Sequence, residues 1–395
     1  MGGGYTVKKL VSVMAMALLL VSCTAPDNND SENAVVAETS AEAPPEAAEE
    51  MTFTAGGISP YTGREIITHT YAYSLLTEEQ KSIYDQLLTA CLNFDEIVEF
   101  KGYRPEFSEL EYIYKLIHND EYRLFYTTNQ FRYKPDFDSK VKEVALDYTI
   151  DRETALRMRE RIGRTADTIL SRLNEDMTDF EIVQTIHDTI IDRCVYADSD
   201  NDNNIYGALV ERRAKCQGYS KAFCYLCSLA GVSSLTVLGE TDTEHMWNEA
   251  ELDSCFYHFD LTWDDPDDGH TAHYVKYDYF GLTDDEIRKY RTIEGNIFAL
   301  PRCDSGKYNY YSFNSLEASS CDEARELIER HYDRTKDINV IQFRAADEET
   351  FSAITDELFG TGENGIRSII GEPDKKIDYV INSRNFIIKL FIDRS

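Results

Sequence analysis

Polar and apolar positions fall into blocks whose period changes along the chain, and the changes mark its elements. Thr77 and Gln80 form a capping box ahead of Ile83, Tyr84, Leu87, Leu88 and Cys91, which share one helical face. A second helix opens at Ser108 to Glu111 and ends at the Asn119-Asp120 turn, before a strand-like run from Tyr122 to Tyr126. Residues 132–149 read as extended, and 152–173 as a charged amphipathic helix. Thr178 and Glu181 make another capping box, heading the helix that carries His187. Behind Cys216, the positions Tyr219, Ala222, Phe223, Leu226, Leu229 and Ala230 recur at helical spacing until Gly231. Two strand-like runs, 244–252 and 255–263, flank Asp253-Ser254. Thr283 and Glu286 cap a short helix ending near Arg291. The tail predicts a helix at about 321–333, a strand at 338–343, a helix at 347–359 and a hairpin over 377–392. The fold class is α+β, with no internal repeats.

The pattern around Asp253-Ser254 has chemical consequences. A two-residue turn there pairs Leu252 with Cys255. Counting outward, His245 faces Thr262 and Trp247 faces Asp260. Because side chains alternate with period two, His245, Trp247, His258, Asp260 and Thr262 then share one face. His245 and Asp260 become diagonal neighbours, roughly 7–8 Å apart at the backbone. A carboxylate so placed can orient an imidazole through its Nδ1–H. Cys216, at the start of its helix, sits beside unpaired backbone N–H groups and the positive end of the helix dipole. Both favour thiolate over thiol, and the same N–H groups can donate to an oxyanion. Gly218 removes side-chain bulk and lets a substrate backbone approach.

The runs Lys215-Cys216-Gln217-Gly218-Tyr219, Glu244-His245-Met246-Trp247-Asn248 and Asp260-Leu261-Thr262-Trp263-Asp264-Asp265-Pro266 occur in order. Together they resemble the bacterial transglutaminase-like superfamily, whose core is papain-like. Residues 187–196, with His187 and Tyr196, also look like that family's helix before the core. Ala214 departs from it, standing where members often carry glycine. The resemblance covers about 180–290 and implies a helix bearing the cysteine packed on an antiparallel sheet bearing His and Asp. It further implies a catalytic triad of Cys216, His245 and Asp260 acting at amide bonds through a thioester. Gln217, Gly218, Tyr219 and Trp247 are the expected substrate-binding residues. The rival reading is a non-catalytic surface binding module that keeps the scaffold. A third is disulfide exchange through Cys224 and Cys227.

Other candidates read as structure. His187 lies among Ile182, Ile186 and Ile190 and is expected to be packed and hydrogen-bonded, and His258 is a distant second as base. His270 and His273 have no ligand at tight spacing, so no metal and no cofactor are expected. The acidic stretch 198–204 resembles a calcium loop but lacks glycine at the sixth place and a glutamate at the twelfth. Cys224 and Cys227 fall inside a helix already begun, where core packing is the expected role. Setting aside Cys23 and Cys216 leaves seven of nine cysteines, an odd number that implies no complete disulfide framework.

The N-terminus changes the picture of location. Lys8 and Lys9 precede an apolar run, Leu10 to Leu20, too short to span a bilayer as a mature helix. The following Leu20-Val21-Ser22-Cys23 resembles a bacterial lipoprotein signal, so residues 1–22 are expected to be removed and Cys23 lipidated. The expected location is extracytoplasmic, anchored to a membrane through that lipid. Residues 24–51 carry eight acidic residues with no Lys, Arg or aromatic side chain and read as a disordered spacer. A net charge of −32 argues against nucleic acid as a partner. The expected partner is a protein or peptide substrate, and the expected state a monomer. The divisions expected are a tether (23–59), an N-terminal α+β region (60–175), the core (176–295) and a small C-terminal α+β domain (296–395).

Overall fold

A computed structural model describes residues 57–266, 274–360 and 365–393. Cys23, the spacer, His270 and His273 lie outside them. Helices α1 (Tyr71–Ser74), α2 (Glu78–Asn93) and α3 (Phe107–Asp120) pack with a three-stranded sheet of order β1-β3-β2. Its strands are β1 (Ile97–Glu99), β2 (Thr127–Pro135) and β3 (Val141–Tyr148). The Thr77/Gln80 capping box closes in both directions, and Ile83, Tyr84, Leu87, Leu88 and Cys91 are buried beneath it. Tyr122 to Tyr126 does not form a strand. Backbone bonds from Leu124 N–H to Glu121 O (2.9 Å) and Thr127 N–H to Leu124 O (3.2 Å) coil it into turns. Those turns let Tyr122 enter the central core while Leu124 and Tyr126 enter the N-terminal one. The alternating pattern was therefore set by two cores and not by a pleat.

The central region begins with α4 (Arg152–Leu170) and α5 (Asp179–Arg193), followed by the paired two-residue strands β4 (Val195–Tyr196) and β5 (Arg213–Ala214). Helix α6 (Cys216–Ala230) comes next and packs on a five-stranded antiparallel sheet of order β10-β6-β7-β8-β9. The strands are β6 (Ser234–Glu240), β7 (Glu244–Leu252), β8 (Cys255–Phe259), β9 (Phe280–Leu282) and β10 (Thr292–Ile293). Short helices α7 (Leu261–Asp264) and α8 (Asp284–Ile287) follow β8 and β9. The C-terminal region carries α9 (Tyr310–Phe313), α10 (Cys321–His331), α11 (Glu348–Phe359) and α12 (Ile366–Ile370). Its sheet, of order β11-β12-β14-β13, uses β11 (Glu317–Ala318), β12 (Ile338–Ala345), β13 (Lys376–Asn382) and β14 (Ile387–Asp393).

The hydrophobic clusters run across residues 175 and 295. Helix α4 gives Ala155 to the N-terminal core but Ile162, Ala166, Ile169 and Leu170 to the central one. Tyr308, Tyr310 and Tyr311 also belong to the central core, and the C-terminal cluster starts at Leu316 and Ala318. A buried ion pair, Lys389 Nζ to Asp278 Oδ1 at 2.6 Å, ties the C-terminal sheet to the segment before β9.

Candidate active site

The β7–β8 hairpin sets the site. Asp253 and Ser254 both adopt positive φ (50° and 64°), as a tight two-residue turn requires, and Leu252 pairs with Cys255. That register holds down to Asn248 opposite Phe259. There β8 ends, so the expected pairings of His245 with Thr262 and Trp247 with Asp260 do not form. Asp260 instead caps α7, its Oδ1 accepting the Trp263 N–H at 3.2 Å. The local chemistry of an aspartate, which competes well for helix N-terminal N–H groups, ends the strand. The carboxylate still swings under His245, and Asp260 Oδ2 lies 2.8 Å from His245 Nε2. The nitrogen facing the acid is thus Nε2 and not Nδ1, which leaves Nδ1 for the cysteine side.

Cys216 is the first residue of α6, and Lys215 before it supplies no capping side chain. The first-turn N–H groups are therefore not consumed by a cap. The helix is held against β7 by polar contacts from motif residues. Asn248 Nδ2 donates to Ser220 O (3.0 Å) and Leu235 O (3.3 Å) and contacts Cys224 Sγ (3.1 Å), while Ser220 Oγ donates to Met246 O (3.0 Å). These bonds hold the start of α6, and with it Cys216, beside His245, and the two side chains act on each other electrostatically.

The electrostatics follow from that packing. Burial pushes the Cys216 thiol up, but the imidazole of His245, with the Met246 backbone N–H, prevails and holds it below its ordinary value. Burial works against the His245 imidazolium, yet the Asp260 charge and hydrogen bond outweigh it and raise that pKa to about 9. Asp260 is fully buried, which would raise its pKa, but His245 and Arg291 hold it at about 2. Each of these shifts favours the charged form, thiolate on Cys216, imidazolium on His245 and carboxylate on Asp260.

Arg291 was not singled out from the sequence, where it closes a short charged helix. It is 4% exposed, ion-paired with Asp260 Oδ2, and its guanidinium lies 4.4, 4.9 and 5.6 Å from the rings of Tyr279, Trp263 and Trp247. Asp260 N–H also donates to Tyr279 O at 3.1 Å. No local motif reveals a partner 31 residues downstream.

Of the expected substrate-binding residues, only Gln217 is partly open to solvent. Trp247 is fully buried and stacks behind His245 (centroids 5.9 Å, 20°), with its indole N–H bonded to His258 Nδ1. Tyr219 is buried and donates its hydroxyl to Asp265 Oδ2 at 2.7 Å. Gly218 is buried as well. A Cβ there would sit 2.5 Å from Asp202 O and 2.7 Å from Ala214 Cβ, so this glycine admits the acidic 198–204 loop and not a substrate. Trp263, 36% exposed and 6.3 Å from the His245 ring, and Tyr196, exposed beside Lys215, are the aromatic side chains left at the rim.

The remaining candidates are structural. His187 is buried between Asp188 Oδ1 (2.9 Å) and Asp264 Oδ2 (3.3 Å), whose hydrogen bonds overcome burial and lift its pKa to about 9. Cys224 and Cys227 are fully buried, and burial pushes both thiols up, Cys224 to about 12. No helix among the described residues is long and apolar enough to cross a membrane.

No curated protein matches the chain. A solved structure of a TGase is similar at 9% identity and a TM-score of 0.26, covering 53% of this chain and 52% of that one. A candidate cysteine protease from Cytophaga hutchinsonii gives 12% identity and a TM-score of 0.23, over 31% and 51% of the two chains. Menin gives 13% and 0.25, over 74% and 60%. The chain thus spans about half the length of the first two structures and 60% of menin, and likenesses of this size carry no argument about function. Residues 167–261, which hold Cys216, His245 and Asp260, match the family model of the Transglutaminase-like superfamily.

Proposed function

We propose that the protein is a cysteine-dependent hydrolase or acyltransferase acting at amide or peptide bonds. The observation that carries this reading is the His245–Asp260 hydrogen bond, with Arg291 behind it and Cys216 beside His245 at the start of α6. The Cys216 thiolate attacks the carbonyl carbon, and the new oxyanion is met by N–H groups of the first turn of α6. As the C–N bond breaks, His245 gives its proton to the leaving amine and a thioester remains on Cys216. Water or an incoming amine then attacks the thioester while His245 takes its proton, and Cys216 leaves as thiolate. Asp260 orients His245 throughout and keeps the imidazolium charged. The exposure of Trp263, Tyr196 and Gln217 around Cys216 and His245 supports a protein or peptide as the substrate class. No cofactor takes part in these steps.

We also propose an exported, lipid-anchored location, supported by the Lys8-Lys9, Leu10 to Leu20 and Leu20-Val21-Ser22-Cys23 run of the sequence. The test of the chemistry is intact-protein mass spectrometry after brief incubation with a library of glutamine-containing and cell-wall peptides. An acyl adduct on Cys216 that is absent in Cys216→Ala is expected. Peptide binding that survives Cys216→Ala, with no adduct on the native protein for any peptide bound, would replace this reading with a non-catalytic binding module.

A further inference from the structure

Behind Trp247, on the side away from His245, four side chains from separate parts of the chain converge. Glu249 on β7 stands directly opposite His258 on β8, and His258 Nδ1 is 3.5 Å from Glu249 Oε1. His258 Nε2 lies 3.0 Å from Oδ1 of Asp284, the first residue of α8. Cys303 folds back onto Asp284, with Asp284 N–H donating to Cys303 O at 2.8 Å and Cys303 N–H to Asp284 Oδ2 at 3.4 Å. One ligand atom from each of the four residues lies within 4.8 Å of every other. Cys303 is a fully buried free thiol.

Glu249 makes this more than a cluster. It is 0% exposed, and neither of its carboxylate oxygens has a hydrogen-bond partner. A buried acid without a donor carries the full cost of desolvation. Protonation alone does not remove the problem, since the acid then has a hydroxyl donor and a carbonyl acceptor to satisfy. A cation held between Glu249, Asp284 and Cys303 takes one of the oxygens, and a proton on His258 Nδ1 faces the other.

We propose that Glu249, His258, Asp284 and Cys303 form a closed, structural binding site for a zinc-class divalent cation. A thiolate, an imidazole and two carboxylates are the donors a borderline-soft tetrahedral ion takes, and four protein ligands leave no open position for catalysis. Bond lengths of about 2.0–2.3 Å put tetrahedral ligand atoms roughly 3.3–3.8 Å apart, so the side chains close by about 1 Å on binding. The three anionic ligands exceed the dication by one charge. Arg288 acts electrostatically on Glu249, and Arg288 and Arg291 act on His258, which offsets that excess. Loading releases to solvent the Cys303 thiol proton and the proton that burial keeps on the Glu249 carboxyl. It also moves the His258 proton from Nε2, which takes the ion, to Nδ1 beside Glu249. The Trp247 indole N–H then gives up its 3.2 Å bond to Nδ1. The ion would pin β7, β8, α8 and the Cys303 segment behind the tryptophan that backs His245, and it does not depend on catalysis at Cys216.

The test uses the full chain, stripped with a chelator and titrated with Zn²⁺ and with Co²⁺ as a spectroscopic probe. One equivalent of Co²⁺ should bind with a thiolate-to-cobalt charge-transfer band and tetrahedral d–d intensity, and tryptophan emission should change in step. Cys303→Ser should lose the band, and the near-isosteric Glu249→Gln should weaken binding at least tenfold. Zn²⁺ should raise the Tm of the native protein but not of Glu249→Gln. Cys216→Ala should keep the band, which separates this site from the catalytic thiol. A band lost in Cys216→Ala and kept in Cys303→Ser would overturn the proposal, as would equal Zn²⁺ stabilisation of native protein and Glu249→Gln, or no binding at all.

Discussion

Replacing Arg291 by methionine removes the cation from behind Asp260 while filling much of the same volume. Both partners are buried, so the substitution leaves a carboxylate in the core with one ion partner fewer. Breaking such a pair typically costs about 3–5 kcal/mol. Asp260 keeps His245 at 2.8 Å and the Trp263 N–H at 3.2 Å, which places the loss near the lower end of that range. Included in it are the contacts with Trp247, Trp263 and Tyr279, together about 0.5–2 kcal/mol. Urea unfolding should show a lower midpoint at unchanged slope, with Tm down by roughly 6–12 °C at about 2–4 °C per kcal/mol. The substitution also removes a positive charge beside His245. Because the His245 pKa is raised in the fold, the pair's contribution is complete below the ordinary imidazole value and is lost as pH rises through about 9. In Arg291→Met that loss should move to higher pH. Arg291→Lys, which keeps the charge but not the planar fork, should fall between native and Met. An unchanged midpoint together with an unchanged alkaline limb would refute the assignment of Arg291 as the partner of Asp260.

Three further outcomes follow from the same packing. Gly218→Ala places a methyl 2.5 Å from Asp202 O, so thermal unfolding should show a loss of about 1–3 kcal/mol and a displaced 198–204 loop. Asn248→Ala deletes the donor to Ser220 O and Leu235 O; stability should fall by about 1–3 kcal/mol and Cys216 alkylation should slow, because α6 loosens from β7. Lys389→Met strands Asp278 among Tyr311, Asn382 and Asn385, and should cost about 3–5 kcal/mol in urea unfolding, with limited proteolysis opening the C-terminal region first.

Much of the scaffold was readable because local signals agreed with the fold. Capping boxes at Thr77, Thr178 and Thr283 all close, and the Asp253-Ser254 turn fixed the β7–β8 register by simple counting. The reading failed where one residue serves two demands. Asp260 reads as a strand residue, but its side chain captures the Trp263 N–H and turns the chain into α7. The His245–Asp260 contact forms all the same, because Asp260 still reaches His245, though through Nε2. Tyr122 to Tyr126 mimicked a strand because its aromatics fill two different cores. Trp247, Gly218 and Tyr219 lie in motifs around the site, yet they are its supports: motif spacing marks what must be held together without saying which members face the cleft. Arg291 and the Glu249–His258–Asp284–Cys303 group lay beyond local reasoning, since only the sheet and the return of the 277–303 segment bring them together.

The most direct test of the central claim is the pH dependence of Cys216 alkylation by iodoacetamide, read by peptide mass spectrometry on the reduced protein. The account predicts selective labelling of Cys216 that is already strong below the free-thiol pKa. It should fall as acid protonates the thiolate, and it should become independent of His245 once pH passes about 9 and the imidazolium is lost. His245→Ala should move the profile to higher pH, to or above that of an ordinary thiol, because burial of Cys216 remains. Labelling of Cys216 that rises only near the free-thiol pKa, unchanged by His245→Ala, would contradict it.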